Sequence, residues 1–175
     1  MRAASSSLLL IALLLITAGI GFDCTAAADT KYSNPEYGFS VLLPESVTRH
    51  ESQPPVPQHG VAFDLPSGGR IWIDGSYDAS FQGSARAALS QILRDAGGSI
   101  TSPIKRTKVA NLQAVSASYS KAQTVSTRVV AYRSRSKDIA VIYTFGLDTT
   151  RTGQRQGNKM FQKIIKSFCT MPLPQ

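Results

Sequence analysis

The feature that most constrains this chain is a run of period-two apolar segments in its second half, each about nine residues long and joined by short polar links. In Ile139 to Leu147, the residues Ile139, Val141, Tyr143 and Phe145 recur at every second position. Val125 to Arg133 sets Val129 and Ala131 against Val130 and Tyr132, and Leu112 to Ser120 precedes it. Successive side chains on a strand point to opposite faces, so such spacing builds a strand with one packed face. Ser134 to Asp138 is a polar turn between two of these segments. Parallel neighbours need a crossover of a dozen or more residues, which the links cannot supply, so the segments predict an antiparallel meander.

The remaining elements are read around that meander. Asp29 to Pro35 is a polar lead-in with a turn at Asn34-Pro35, and Tyr37 to Leu43 is a first strand stopped by Pro44. Residues 45–59 hold Pro54, Pro55 and Pro57 and are expected to be an extended loop. Gly60 to Leu65 and Arg70 to Tyr77 flank Pro66-Ser67-Gly68-Gly69, the spacing of a hairpin. On its second strand Ile71 and Ile73 share one face, Trp72 and Asp74 the other. Ile100 to Ala110 is a further strand, bent at Pro103.

Two segments switch to helical spacing. Phe81 to Ala96 carries Ala85, Ala88, Leu89, Ile92 and Leu93 on one stripe, with Ser80 as cap and Gly97-Gly98 as stop. A last helix, capped by Thr149 or Thr150, runs to about Phe168. It sets Met160, Phe161, Ile164, Ile165 and Phe168 against Arg151, Arg155, Lys159, Lys163 and Lys166. Gly153 and Gly157 weaken it by about 1 kcal/mol each relative to alanine. The order βββ-α-ββββ-α predicts an α+β domain: an antiparallel sheet of about six to seven strands with helices on its faces.

The N-terminus has the layout of a secretory signal. Arg2 is the charged start, Leu8 to Ile20 the apolar stretch, and Ala26-Ala27-Ala28 an A-x-A site. The apolar stretch is shorter than the roughly 20 residues a membrane-spanning helix needs. The expected organisation is a signal peptide over residues 1–28 and one domain over 29–175, exported without a membrane span to the periplasm or beyond. Cleavage between Ala28 and Asp29 is favoured over Gly21/Phe22. The charged Asp23 before Cys24 argues against lipid attachment there. If Cys24 is retained, it is a disulfide candidate for Cys169, since export favours oxidation.

Charge is uneven along the chain. Residues 101–175 hold thirteen Lys/Arg against Asp138 and Asp148, for +11, whereas residues 1–100 come to −3. Such asymmetry points to an anionic partner, with plain solubility as the bland alternative. Nucleic acid fits poorly with export. His50 and His59 stand apart from any cysteine, so no metal site is assigned. No C-x-x-C, nucleophile elbow or phosphate loop occurs. S-x-x-K appears at Ser102–Lys105, Ser118–Lys121 and Ser134–Lys137, without the companion motifs of penicillin-binding enzymes. Asp74 and Asp78 could together hold a cation, but Asp78 as a cap for the following helix is the favoured reading. The expectation is no catalytic residue, no cofactor and no enzyme.

The segment Tyr32-x-Asn34-x-Glu36-Tyr37-Gly38-Phe39-Ser40-Val41-x-x-Pro44 resembles the opening of PsbP-like (Mog/PsbP-type) domains, many of them in exported bacterial proteins. The close, Ile164-Ile165-x-Ser167-Phe168, is similar too, so the resemblance spans roughly 32 to 168. Glu45-Ser46-Val47 departs from the tryptophan that members often place after the proline. The resemblance implies an antiparallel sheet with helices on its faces, working as a binding or assembly module. With the charge pattern, it gives a non-catalytic module that uses Arg151, Arg155, Lys159, Lys163 and Lys166 to hold an acidic protein or an anionic envelope surface. Alternatives are an inhibitor or immunity protein against an exported enzyme and a protein peripheral to anionic membrane. The oligomeric state stays open.

Overall fold

The computed structural model describes residues 30–45, 48–50, 59–79, 83–134 and 139–174; residues 1–28, expected to be a signal peptide, and Ser80 fall outside them. The elements in chain order are β1 (Thr30–Asn34), β2 (Phe39–Leu43), β3 (Thr48–His50), β4 (Gly60–Asp64) and β5 (Arg70–Tyr77), then α1 (Ala85–Ala96). There follow β6 (Ser99–Val109), β7 (Leu112–Lys121), β8 (Thr124–Ser134), β9 (Ala140–Thr150), α2 (Gln154–Ser167) and β10 (Cys169–Thr170). A seven-stranded antiparallel sheet runs β3-β4-β5-β9-β8-β7-β6, and a three-stranded one runs β1-β2-β10. The expected α+β architecture and the meander β6 to β9 are both present.

Three strands differ from the sequence reading. β1 falls in the polar lead-in, β3 in the proline-rich stretch, and β10 after the last helix. β1 is mostly exposed and short of apolar residues, so its ladder with β2, from Thr30 opposite Leu43 to Asn34 opposite Phe39, leaves no trace in hydropathy. One face of the large sheet is therefore covered by α2 together with a small second sheet, not by a helix alone.

That face holds the main core. Ile71, Ile73, Val129, Ala131, Val141, Tyr143, Phe145 and Leu147 meet Phe39 and Val41 from β2 and Phe161, Ile164 and Phe168 from α2 and its end. Phe168 stacks on Phe39 at 5.7 Å and meets Tyr143 and Phe145 edge-on at 5.1 and 5.0 Å. The Tyr143 hydroxyl, buried here, donates to the Tyr37 carbonyl at 2.8 Å, which satisfies the one polar atom of that ring. Gly38 turns the chain into β2 at φ +62°, where a Cβ would also lie 2.8 Å from the Met171 carbonyl oxygen. The opposite face is partly covered by α1, whose Ala85, Ala88 and Leu89 pack on Val115, Ala117, Val130 and Ile142.

Both helices begin later than their sequence limits. α1 starts at Ala85, capped by Ser84, whose Oγ accepts from the Ala87 N–H at 3.2 Å. It ends at Gly97 in the left-handed region, as Gly97-Gly98 implied. α2 cannot start at Thr149 or Thr150 because β9 pairs as far as Thr150, opposite Thr124. Thr150 still serves the helix, accepting from the Gly153 N–H at 3.2 Å. At the edge strand β6, Lys105, Arg106 and Lys108 are exposed and two register shifts fall between Ile100 and Lys105. Charge and irregularity of this kind keep an open edge from pairing with another chain.

Candidate binding surfaces

The first surface is the outer side of α2. Its apolar arc, with Phe161 and Ile164 at 0 % exposure, is consumed by the core. Arg155, Lys159, Lys163 and Lys166 lie opposite and are exposed, as the helical spacing requires. No residue of α2 is acidic. Arg151 is exposed as well and belongs to the turn between β9 and α2, not to the helix itself.

The second surface was not singled out in the sequence. Trp72 on β5, Gly146 on β9 and Arg128 on β8 are cross-strand partners in one row, on the face that α1 partly covers. Gly146 makes room for the indole: a Cβ there would lie 2.0 Å from Trp72 Cε2. The indole thus lies across the sheet towards Arg128, whose guanidinium carbon is 5.0 Å from the Trp72 ring centre and 5.3 Å from that of Tyr119. Arg128 Nη2 donates to Asp148 Oδ1 at 2.9 Å and to the Tyr119 hydroxyl at 3.0 Å, while Nη1 donates to the Leu147 carbonyl at 3.2 Å. Asp148 also accepts from Ser126 Oγ and, at 3.4 Å, from Trp72 Nε1. A buried charge needs this degree of pairing, and two aromatic faces add cation–π attraction.

An open cavity of about 530 Å³ lies beside this cluster, closed on one side by Ile92 and Asp95 of α1. A second, of about 470 Å³, shares Arg70 and Asp148 with it and continues towards Gly68, Gly69 and Thr150. Arg70 Nε donates to Asp64 Oδ1 at 2.9 Å. Period-two spacing puts Arg128 on the same face as Val130 and Tyr132, a signal present in the sequence but not used above. Its link to Trp72 could not be read, because β5 and β8 meet only through β9.

The groups considered for chemistry are placed apart. His59 Nδ1 is 4.0 Å from Asp74 Oδ1, and its ring is 5.2 Å from that of Tyr37. Burial raises the Asp74 carboxyl above its ordinary range, with His59 opposing. Burial, reinforced by Glu36, pushes Tyr37 up to about 12. Asp78 does not join Asp74: its Oδ2 accepts from the Gly83 N–H at 3.0 Å, just ahead of α1, and from the Tyr132 hydroxyl at 3.3 Å. Ser118 bonds Thr127 and Lys121 donates to the Ala96 carbonyl, so this Ser and Lys face different partners. Lys137 and the His50 side chain lie outside the described residues. Among the described residues no three His, Cys, Asp or Glu gather for a metal ion. No described helix is long and apolar enough to cross a membrane. Cys169 on β10 is disulfide-bonded.

No protein-family model and no curated protein matches the sequence. Solved structures do match. The cyanobacterial PsbP protein CyanoP of Synechocystis is 15 % identical, with a TM-score of 0.57 over 87 % of this chain and 95 % of its own. LpqN of Mycobacterium tuberculosis, involved in cell envelope biogenesis, is 12 % identical, with a TM-score of 0.57 over 82 % of this chain and 91 % of its own. The Ran-binding protein Mog1p of Saccharomyces cerevisiae is 10 % identical, with a TM-score of 0.51 over 81 % of this chain and 95 % of its own. At such identities the likeness speaks for architecture, and it agrees with the two motifs at either end of the domain: this chain has the PsbP-like fold.

Proposed function

We propose that the protein is an exported, non-catalytic binding module of one domain that holds an acidic protein against the outer face of α2. The observation that carries this reading is the division of labour on α2. Its apolar arc is buried in the core, while Arg155, Lys159, Lys163 and Lys166 project from a helix with no carboxylate of its own. A rigid array of cations steers and selects acidic partners more than it adds raw affinity. A protein-binding role also has precedent on this fold, since Mog1p binds Ran. The test is a pull-down from envelope extract, comparing the mature protein with the Arg155→Gln/Lys159→Gln/Lys163→Gln variant. Retention of a specific protein at low salt, lost at high salt and lost in the variant, is expected. Retention unchanged in the variant overturns the reading, and pelleting with anionic vesicles instead of protein capture transfers it to membrane attachment.

Export itself is part of the proposal, and Cys169 bears on where processing occurs. The chain has two cysteines, so the bond at Cys169 points to Cys24, which lies outside the described residues. The small sheet makes this pairing reachable. Cys169 sits opposite Ser40 on one side of β2, and Thr30 opposite Leu43 on the other. Two strand spacings and three residues along β2 separate them by roughly 14 Å, and six residues back from Thr30 reach about 20 Å. Retaining Cys24 shifts the preferred cleavage from Ala28/Asp29 to Gly21/Phe22. Intact mass of the exported product decides this: a start before Cys24 with no alkylatable thiol is expected, and a start at Asp29 ends the pairing.

A further inference from the structure

We infer that the open edge of β6 takes up an acidic, extended segment of a partner protein as an added strand. This extends the reading above, sharing its acidic partner but none of its residues. β6 ends the seven-stranded sheet, and among the described residues no strand pairs with its outer side. Such an edge offers a row of backbone N–H and C=O groups, to which a peptide strand is the complement. The two register shifts fall between Ile100 and Lys105. From Lys105, opposite Ser116, to Val109, opposite Leu112, the ladder is unbroken and the edge is regular.

Charge selects what can pair there. Lys105, Arg106 and Lys108 are exposed, and no hydrogen bond, ion pair or ring contact engages their side chains among the described residues. Other basic groups are engaged: Arg70 by Asp64, Arg128 by Asp148, Arg133 by the Met171 carbonyl and Lys121 by the Ala96 carbonyl. No Asp or Glu occurs from Ala96 to Lys137, so β6, β7 and β8 hold no carboxylate. The guard against edge pairing thus acts on neutral and basic strands, a second copy of β6 included. A strand that carries carboxylates turns the repulsion into attraction. Register sets the pattern of that strand. Lys105 shares a row with Ser116, Val129 and Phe145, on the face of the main core. Arg106, opposite Val115, and Lys108 lie on the face that α1 partly covers. The matching segment reads acid-acid-x-acid along β6. Cations on both faces suit a strand, whose side chains alternate in the same way, better than a flat anionic surface. β6 lies three strands from β9, on which α2 rests, so the two basic surfaces are separable by mutation.

The probe is a short blocked peptide of valine and threonine with glutamates in the acid-acid-x-acid order at its centre. Backbone amide shifts of the isotope-labelled mature protein read where it binds. Saturable shifts at Lys105 to Val109, with a midpoint below about 1 mM at low salt, are expected. Lys105→Gln/Arg106→Gln/Lys108→Gln, all surface changes, is expected to weaken binding about tenfold or more with an unchanged thermal midpoint. Arg155→Gln/Lys159→Gln/Lys163→Gln, which removes the same charge from α2, is expected to bind the peptide like the parent. Two peptides N-methylated at every second amide, one for each edge, separate strand pairing from plain attraction, and one of them is expected to lose binding. The inference is overturned if the peptide leaves the β6 amides unmoved, or if the β6 variant binds like the parent. It is equally overturned if both triple variants lose binding alike, since net charge alone then accounts for it. Loss in the α2 variant only supports the basic arc and overturns pairing at β6. Binding of both N-methylated peptides like the unmodified one, or of polygalacturonate as tightly as the peptide, also overturns it, because neither can continue the ladder.

Discussion

A guanidinium inside a sheet must be solvated by protein, and at Arg128 two carbonyls, a phenol and a carboxylate do this. Removing it strands Asp148 without its cation and opens space between Trp72 and Tyr119. Arg128→Met is expected to cost about 2–3 kcal/mol, below the usual penalty for breaking a buried pair because water still reaches Asp148. Urea denaturation measures this, and Arg128→Met combined with Asp148→Asn should recover part of the loss. Thr149 presents the reverse case: its Oγ1 is buried with no partner. Thr149→Val, which removes that unsatisfied hydroxyl, is expected to leave stability unchanged or raise it by up to about 1 kcal/mol in the same assay. Asp74 gives a pH signature. Its carboxyl is raised by burial, so the folded state holds the proton more tightly than the unfolded chain. Stability from this group is full below the ordinary carboxylate pKa and falls as pH rises through the raised value. Asp74→Asn should therefore flatten the loss of stability between acid and neutral pH; an unaltered slope in urea midpoints against pH contradicts this.

Element by element, the sequence is most readable where one side chain in two or one stripe in a helix is buried. β5, β7, β8, β9 and the stripes of α1 and α2 followed their periodicity to within a few residues. β1 and β10 did not, because each is held by backbone pairing to β2 with little apolar burial of its own. Helix starts were misplaced for a related reason. Ser80 and Ser84 are equally good caps by type, as are Thr149 and Thr150, and only the extent of β9 decides between strand and helix. Gly157 adds an energetic point. As a helix residue it costs about 1 kcal/mol against alanine, yet a Cβ there would lie 2.7 Å from Thr149 Cγ2. Gly157→Ala is thus expected to destabilise by about 1–2 kcal/mol despite its better propensity. A rise in urea midpoint would show that α2 can move off β9 cheaply.

Over the whole molecule, net charge located the basic half but overstated its surface. Arg128 is paired and buried in the sheet. Arg133 is half-buried and donates to the Met171 carbonyl at 2.7 Å, fastening the tail after β10 to the rest. What projects most clearly is the arc of α2, and the reading of this protein as a module for an acidic partner rests on that arc. The most direct test is the salt-dependent pull-down with the Arg155→Gln/Lys159→Gln/Lys163→Gln variant, checked for an unchanged thermal midpoint. The account predicts a specific acidic protein held by the parent and released both by high salt and by the three substitutions. The same protein held equally by the folded variant would contradict it.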